Sequence, residues 1–335
     1  MAGMDEVAQV AERFARFAAE EAPGRSRVYG DWSARVAEDG TVAAVLARIP
    51  AAHRQPPLVF AVTRLLGAAD DADAADWARF VRERADDIVA ECGVRGLQTN
   101  EPLRCAALLP ALSLLAGPIA LLELGASGGL CLYPDRYSYR YAATGRHVHL
   151  DPVDGASGVV LTSTWDGPLP ELRLPELRLP EVVWRAGVDL QPRDPRDPRD
   201  RAWLEMLVWP GEEGRRERIA RALDIAAADP PLLIAGDAGD PEALRALAAD
   251  APSEATLVVS TPGVLPYLPR ARREALIDAI RALGARWITL DAPGLHSGWA
   301  EPVDEAEWPG GFALALDGRV LAAADPLGAR VRSRA

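Results

Sequence analysis

The chain has 335 residues, 49% hydrophobic and 26% charged, enough for one large α/β domain with an added module or for two domains. Its net charge of −12 speaks against nucleic acid as a main partner, because binding phosphates calls for a basic surface. No apolar run approaches the ~18 residues of a membrane span. Residues 1–20 lack the basic-then-apolar order of a signal peptide, so a cytoplasmic location with no membrane partner is expected. All 37 basic residues are arginine, a bias that suits GC-rich coding. Cys92, Cys105 and Cys131 are too few and too widely spaced for a disulfide framework or a zinc site.

Residues 1–115 read as an all-helical N-terminal module. Apolar side chains recur at helical spacing over 7–19, 42–49, 58–66, 77–88 and 103–115, with Gly, Pro and Asp at the borders. Asn100, followed by Glu101 and Pro102, predicts a helix start, since Asn caps free N–H groups and Pro suits a first turn.

Over 116–335 short apolar runs alternate with helices, which predicts an α/β domain with a mostly parallel, doubly wound sheet. The runs are 119–124, 182–188, 232–235, 256–259 and 287–290; helices are expected over 202–208, 215–227, 241–249 and 271–283. A closing pair, 312–316 and 319–323, flanks Asp317-Gly318 and predicts a C-terminal antiparallel hairpin. A β-rich insertion at about 132–181 interrupts this order. There Tyr137, Tyr139 and Tyr141 alternate, as do His147 and His149, predicting one or two antiparallel strands. The repeats of Leu-Pro-Glu-Leu-Arg over 169–181 and of Arg-Asp-Pro over 193–200 predict exposed, proline-stiffened loops.

The stretch 118–130 is the most informative. An apolar run leads into Glu123 and then into a glycine-rich turn at Gly125, Gly128 and Gly129. Such an ending lets backbone approach a nucleotide-like ligand, and it also suits a strand that needs glycine only for packing. An acid two places before the first glycine favours a ligand with hydroxyls or a cationic group over a polyphosphate.

Other strand ends repeat the pattern. Asp189 follows Gly187-Val188, Asp237 and Ala238 follow Gly236, and Ser260 opens a segment that runs to Tyr267. Ligands of open parallel sheets bind at the carboxyl ends of the strands. Three carboxylates there suit a nucleoside: Asp189 for ribose hydroxyls, Asp237 for an adenine amino group, Glu123 near a cationic sulfonium. Each carboxylate also has a plain role open to it, as turn former, helix cap or support for the loop.

Tyr267 is expected against the ligand or in the core beneath the sheet. Gln98, Asn100, Glu101 and Arg104 open the helix that feeds the first strand and are candidates for ligand or substrate contact. His147, His149 and Asp151 share one strand face, but nothing further completes a shell, so no metal is expected. His296 is read as an exposed loop histidine, with general base as the alternative.

In order, the glycine loop, Gly-Val-Asp-Leu-x-Pro at 187–192, Gly-Asp-Ala at 236–238 and Val-Leu-x-Tyr-Leu at 264–268 resemble the class I S-adenosylmethionine-dependent methyltransferases. The resemblance covers roughly 100–325 and implies a Rossmann-like core. It implies S-adenosylmethionine as cofactor, held by Glu123, Gly125, Ser127, Gly128, Gly129, Asp189, Asp237 and Ala238. A small-molecule substrate would then meet Gln98, Asn100, Glu101, Arg104, Ser260 or Tyr267.

Ser127 departs from the family, standing where the middle glycine usually lies. Ser-Thr-Pro-Gly at 260–263 lacks the Asn/Asp-Pro-Pro-aromatic motif of enzymes that methylate nucleic-acid amino groups. A dinucleotide oxidoreductase ranks last, because the loop reads Gly-x-Ser-Gly-Gly.

More narrowly, Arg54-Gln55-Pro56, the stretches 98–101, 123–130 and 185–189, Asp135-Arg136-Tyr137 and Trp203-Leu204 resemble the bacterial domain-of-unknown-function family 2332. That family brings no assigned activity. The expectation is a small-molecule methyltransferase in which alignment and desolvation do most of the chemistry. The alternative is a catalytically silent sensor or interaction domain.

Overall fold

The computed structural model describes residues 4–143, 145–167, 177–295, 299–300, 303–304 and 308–333. The chain divides into two compact units: residues 1–99 with 197–220, and residues 100–196 with 221–335. This differs from a single boundary at 115, since 100–115 goes with the sheet and 197–220 with the helices.

The helical unit holds α1 (Met4–Arg16), a π-helical turn (Phe17–Glu21), α2 (Arg27–Glu38), α3 (Gly40–Leu46), α4 (Pro56–Leu65), α5 (Ala74–Glu83), α6 (Ala85–Val94) and, from farther along, α8 (Pro198–Met206). Helix α2 is absent from the sequence reading because Gly30 interrupts its pattern. Ser26 nevertheless supplies the start signal, accepting the Tyr29 N–H at 3.3 Å. The single helix expected over 77–88 is two, α5 and α6, which break at Arg84 (φ −110°). The Arg-Asp-Pro tract ends as a helix start, with Asp197 capping α8 and Pro198 as its first residue.

Aromatic side chains fill the core of this unit. Trp32 and Trp77 stack at 5.1 Å, and Phe14, Phe17, Tyr29 and Phe60 surround them together with Trp203 and Trp209. One cation sits inside. The Arg64 Nη1 donates to Tyr29 Oη at 2.9 Å and to the carbonyls of Met206 and Val208 at 2.8 and 2.7 Å, while its Nε donates to Asp70 at 2.7 Å. A buried guanidinium needs such acceptors, because an uncompensated charge in an apolar interior costs several kcal/mol.

The sheet unit contains β1 (Pro118–Leu124), β2 (Ser138–Ala143), β3 (Arg146–Leu150), β4 (Val160–Asp166), β5 (Glu181–Asp189), β6 (Leu232–Ala235), β7 (Thr256–Pro262), β8 (Arg286–Asp291), β9 (Phe312–Leu316), β10 (Arg319–Ala324) and β11 (Arg330–Ser333). They form one mixed, mostly parallel sheet in the order β3-β2-β4-β11-β10-β9-β8-β7-β1-β5-β6. Its helices are α7 (Arg104–Leu112), α10 (Pro241–Ala248) and α11 (Arg270–Ala282); the division at 220 falls inside α9 (Arg215–Ala228).

The five apolar runs of the sequence are the parallel strands β1, β5, β6, β7 and β8. The chain lays them outward from β1 to β5 and β6, then crosses to β7 and β8 on the other side. The hairpin β9–β10 turns through Asp317 (φ 54°) and Gly318 (φ 83°), the paired left-handed residues of a tight hairpin turn. Strand β9 runs antiparallel to β8.

The insertion supplies three strands rather than one or two, with β2 antiparallel to β3 but parallel to β4. Strand β11, absent from the sequence reading, joins β4 to β10 and makes the insertion part of the same sheet. Of the repeat tract at 169–181, residues 169–176 lie outside the described residues. Among the described residues no helix is long and apolar enough to cross a membrane.

Leu122, Leu124, Ala186, Val188, Val259 and Trp287 pack with side chains of α10 and α11. The pleat turns alternate residues to the opposite face, so Glu123, Arg185 and Ser260 point there. Arg185 holds the chain that leaves β1, donating to Leu132 O at 2.6 Å and to Asp135 at 2.7 Å.

Replacing Arg64→Ala strips two backbone carbonyls and Tyr29 of their donor. We expect a loss of about 3 kcal/mol in urea unfolding followed by tryptophan fluorescence. An unchanged midpoint would refute the role given to this cation.

Candidate functional site

After Glu123 and Leu124 the chain turns through Gly125 (φ 78°), Ser127 (φ 51°) and Gly129 (φ 71°) into one 3-10 turn, Leu130–Leu132. The helix is three residues long, so it brings no appreciable dipole to the turn. Backbone bonds fasten the turn to β5. Gly125 and Ala126 donate to Val188 O at 2.8 and 3.1 Å, and Ser127 N–H donates to Asp189 Oδ2 at 2.8 Å. The other oxygen of Asp189 accepts the Gln191 N–H at 2.8 Å, and Ser127 O accepts from Arg193 at 3.0 Å. Left-handed backbone is uncommon outside glycine, and these bonds hold Ser127 there.

A Cβ on Gly125 would lie 3.0 Å from Val264, and one on Gly129 would lie 3.0 Å from Pro231. One on Gly187 would collide with Ala126. Gly128 is buried. At these three positions protein side chains fill the space that glycine leaves. Asp237 accepts the Gly239 N–H at 2.8 Å and pairs with Arg272 at 2.9 Å, and both contacts hold its carboxyl below the usual range. Ala238 packs against the α10–α11 core.

The cap expected at Asn100 does not form. Helix α7 starts at Arg104, and Glu101 accepts the Leu103 N–H at 2.9 Å, since its longer side chain folds back onto a nearer donor. Asn100 is buried and donates to Ser127 Oγ at 2.9 Å, so it braces the glycine turn. Gln98 falls in the helical unit and is partly exposed. Tyr267 is 81% exposed on the 3-10 turn after β7, so it does not fill the core.

A compact charge cluster occupies the carboxyl ends of the strands. Glu123 is 4% exposed, and its Oε2 has no hydrogen-bond partner among the described residues. Burial pushes its carboxyl well above the usual range; Cys131 and Asp189 add to this, and Arg104 opposes it. Its register partner on β7 is buried Ser260. Arg104 reaches over the end of β7, donating from Nε to Pro326 O at 3.0 Å and from Nη1 to Pro262 O at 3.3 Å. Gly263 (φ 73°) leaves it room, because a Cβ there would lie 3.1 Å from Arg104 Nη2.

On β8, Asp291 is 1% exposed, and burial pushes its carboxyl up to about 8 against the pull of Arg104 and the N–H groups of Gly263 and Leu265. Its Oδ1 also lacks a partner among the described residues. Asp291 lies one residue beyond the run read as 287–290. The signal that finds it is the one that found Glu123, an apolar strand ending in an acid.

His147 and His149 stand exposed on β3, and Asp151 bonds Ser138 and Arg140. Among the described residues no three His, Cys, Asp or Glu side chains are grouped to hold a metal. The three cysteines are buried and unpaired. His296 lies outside the described residues.

Asp291 holds its proton to about pH 8 in the folded chain, against an ordinary value of 3.8. Its contribution to stability is therefore complete below the unfolded value and is lost as pH rises through the folded one. In urea titrations at about pH 5, 7 and 9, Asp291→Asn should gain a few kcal/mol on the wild type towards the alkaline end. Parallel profiles would sink this assignment. Asp189→Ala removes the acceptor of two backbone N–H groups, and we expect a loss of about 2 kcal/mol with faster amide exchange at Ser127 and Gln191.

No curated protein and no solved structure matches the chain. A family model described as an uncharacterised protein conserved in bacteria (DUF2332) matches residues 11–332, and the chain belongs to that family.

Proposed function

We propose that the chain binds S-adenosylmethionine at the carboxyl ends of β1 and β5 and acts as a methyltransferase-like protein on a small molecule. One observation carries this reading: Glu123, a buried carboxyl with an oxygen unpartnered among the described residues, lies one residue before the end of the strand from which the chain winds in both directions. Ligands of open parallel sheets settle at that switch. The order β6-β5-β1-β7-β8 with antiparallel β9 beyond it supports a Rossmann-like core.

Glu123 sits in an environment that favours its protonated form, and a cationic sulfonium beside it would favour release of that proton. A ribose at Asp189 would bond alongside the Ser127 and Gln191 N–H groups, since a carboxylate offers about four acceptor positions. Asp237 and Ala238 would lie toward the adenine. Asn100, Glu101, Arg104 and Ser260 are the substrate-side candidates. S-adenosylmethionine would supply an electrophilic methyl group, taken by the acceptor's lone pair as the carbon–sulfur bond breaks and leaves its own electrons on a thioether sulfur. Alignment and exclusion of water supply most of the rate.

The test is calorimetry with S-adenosylmethionine and its demethylated product. Both should bind the wild type. Glu123→Gln should weaken S-adenosylmethionine about tenfold, some 1.4 kcal/mol, and leave the uncharged product unchanged. No heat and no shift in melting temperature with either ligand at millimolar concentration would end the reading. A silent sensor or interaction domain predicts that outcome, and it is favoured by the protein side chains packed against Gly125 and Gly129.

A further inference from the structure

Strands β2, β4 and β11 bury one set of side chains, among them Tyr139, Tyr141, Trp165 and Val331. The alternate set, which includes Arg140, Thr162, Thr164, Arg330 and Arg332, forms the opposite face by register. At the β10 side of this face a cavity of 680 Å³ lies between β4, the turn from β10 to β11, and the segment that leads into β9. That volume falls within the roughly 300–1,000 Å³ of small-molecule sites.

Two cations line it. Arg330 and Arg332 stand two residues apart on β11, on the same side of the strand, and both border the cavity. The carboxylate beside them is Asp166, whose single Oδ2 lies 3.6 and 3.9 Å from the two guanidiniums. Both separations exceed hydrogen-bond length, so Asp166 leaves the donor edges of both guanidiniums open. The acid in the wall, Asp325, turns its Oδ1 to the N–H groups of Leu327 and Ala329 at 2.9 and 3.3 Å, so it serves the turn.

The wall is fixed before any ligand arrives. Arg104 Nε holds Pro326 O at 3.0 Å, and a Cβ on Gly328 (φ 94°) would collide with Leu103 O. Preformed walls reduce the ordering cost of binding.

The geometry points to a binding site for a small anion, a phosphate- or carboxylate-bearing molecule, gripped by Arg330 and Arg332. A nucleic-acid strand suits the surface less well. Tyr139, Tyr141 and Trp165 turn inward, so among the described residues β2, β4 and β11 place no aromatic side chain on this face for bases to stack on. The site does not depend on the adenosyl reading and is tested without it.

Calorimetry on the full chain at low salt, with inorganic phosphate and pyrophosphate as probes, should show saturable binding. Arg330→Gln and Arg332→Gln should each weaken it about tenfold while the thermal melt stays unchanged. Arg330→Lys should keep part of the affinity, since it keeps the charge but not the fork. Arg270→Gln, which removes an exposed arginine paired with Glu274, should leave binding intact. No saturable heat at about 10 mM of either probe would overturn the site. So would binding that survives Arg330→Gln and Arg332→Gln, or that falls equally with Arg270→Gln.

Discussion

Parallel strands laid outward from a central one in both directions leave a gap at that strand's carboxyl end, since the two sets of crossovers depart on opposite faces. Strand β1 is in that position. The chain leaving it runs across the face of Arg185, through Leu132 and Asp135, whereas α10 and α11 cover the face of Leu122 and Val259. The register with β7 sets Ser260 beside Glu123, and Arg104 bridges the end of β7. Asp291 ends the next strand. The polar cluster is a product of winding order as much as of residue choice.

Charge balance within that cluster is unequal. Glu123 and Asp291 are both buried, and among the described residues Arg104 is the arginine that acts on both. One guanidinium compensates one carboxylate, so the second acid is left to hold a proton or to meet a cation from outside. The glycine turn is rigid by contrast. Asp189, Val188 and Asn100 together fix it, and Ser127 keeps a backbone conformation that costs on the order of 1 kcal/mol when unsupported.

The parallel strands were legible because each is a short apolar run, most of them bounded by Gly, Asp or Pro, and the hairpin was legible in Asp317-Gly318. Strand β11 was not, for it has four residues, with arginine at alternate places, and its identity depends on pairing with β4 far back in the chain. The break between α5 and α6 carries no glycine or proline to mark it. At the site, the strand-end acids were visible, but their partners were not. That Asp189 meets Ser127 N–H, that Asp237 meets Arg272 and that Asn100 meets Ser127 are contacts between distant segments, which residue spacing does not encode.

The helical unit draws on two stretches of chain that are separated by almost a hundred residues of the other unit. Trp209 packs on Phe17 and Tyr29 at 5.3 and 5.5 Å, and Trp203 lies in the same core. On the ribosome the first helices therefore emerge long before the tryptophans that complete their interior, while domains generally fold as whole units during synthesis. The amino-terminal segment must wait, with aromatic surface uncovered, until all of β1 to β5 has been translated. For this architecture the order of synthesis and the order of completion run in opposite directions.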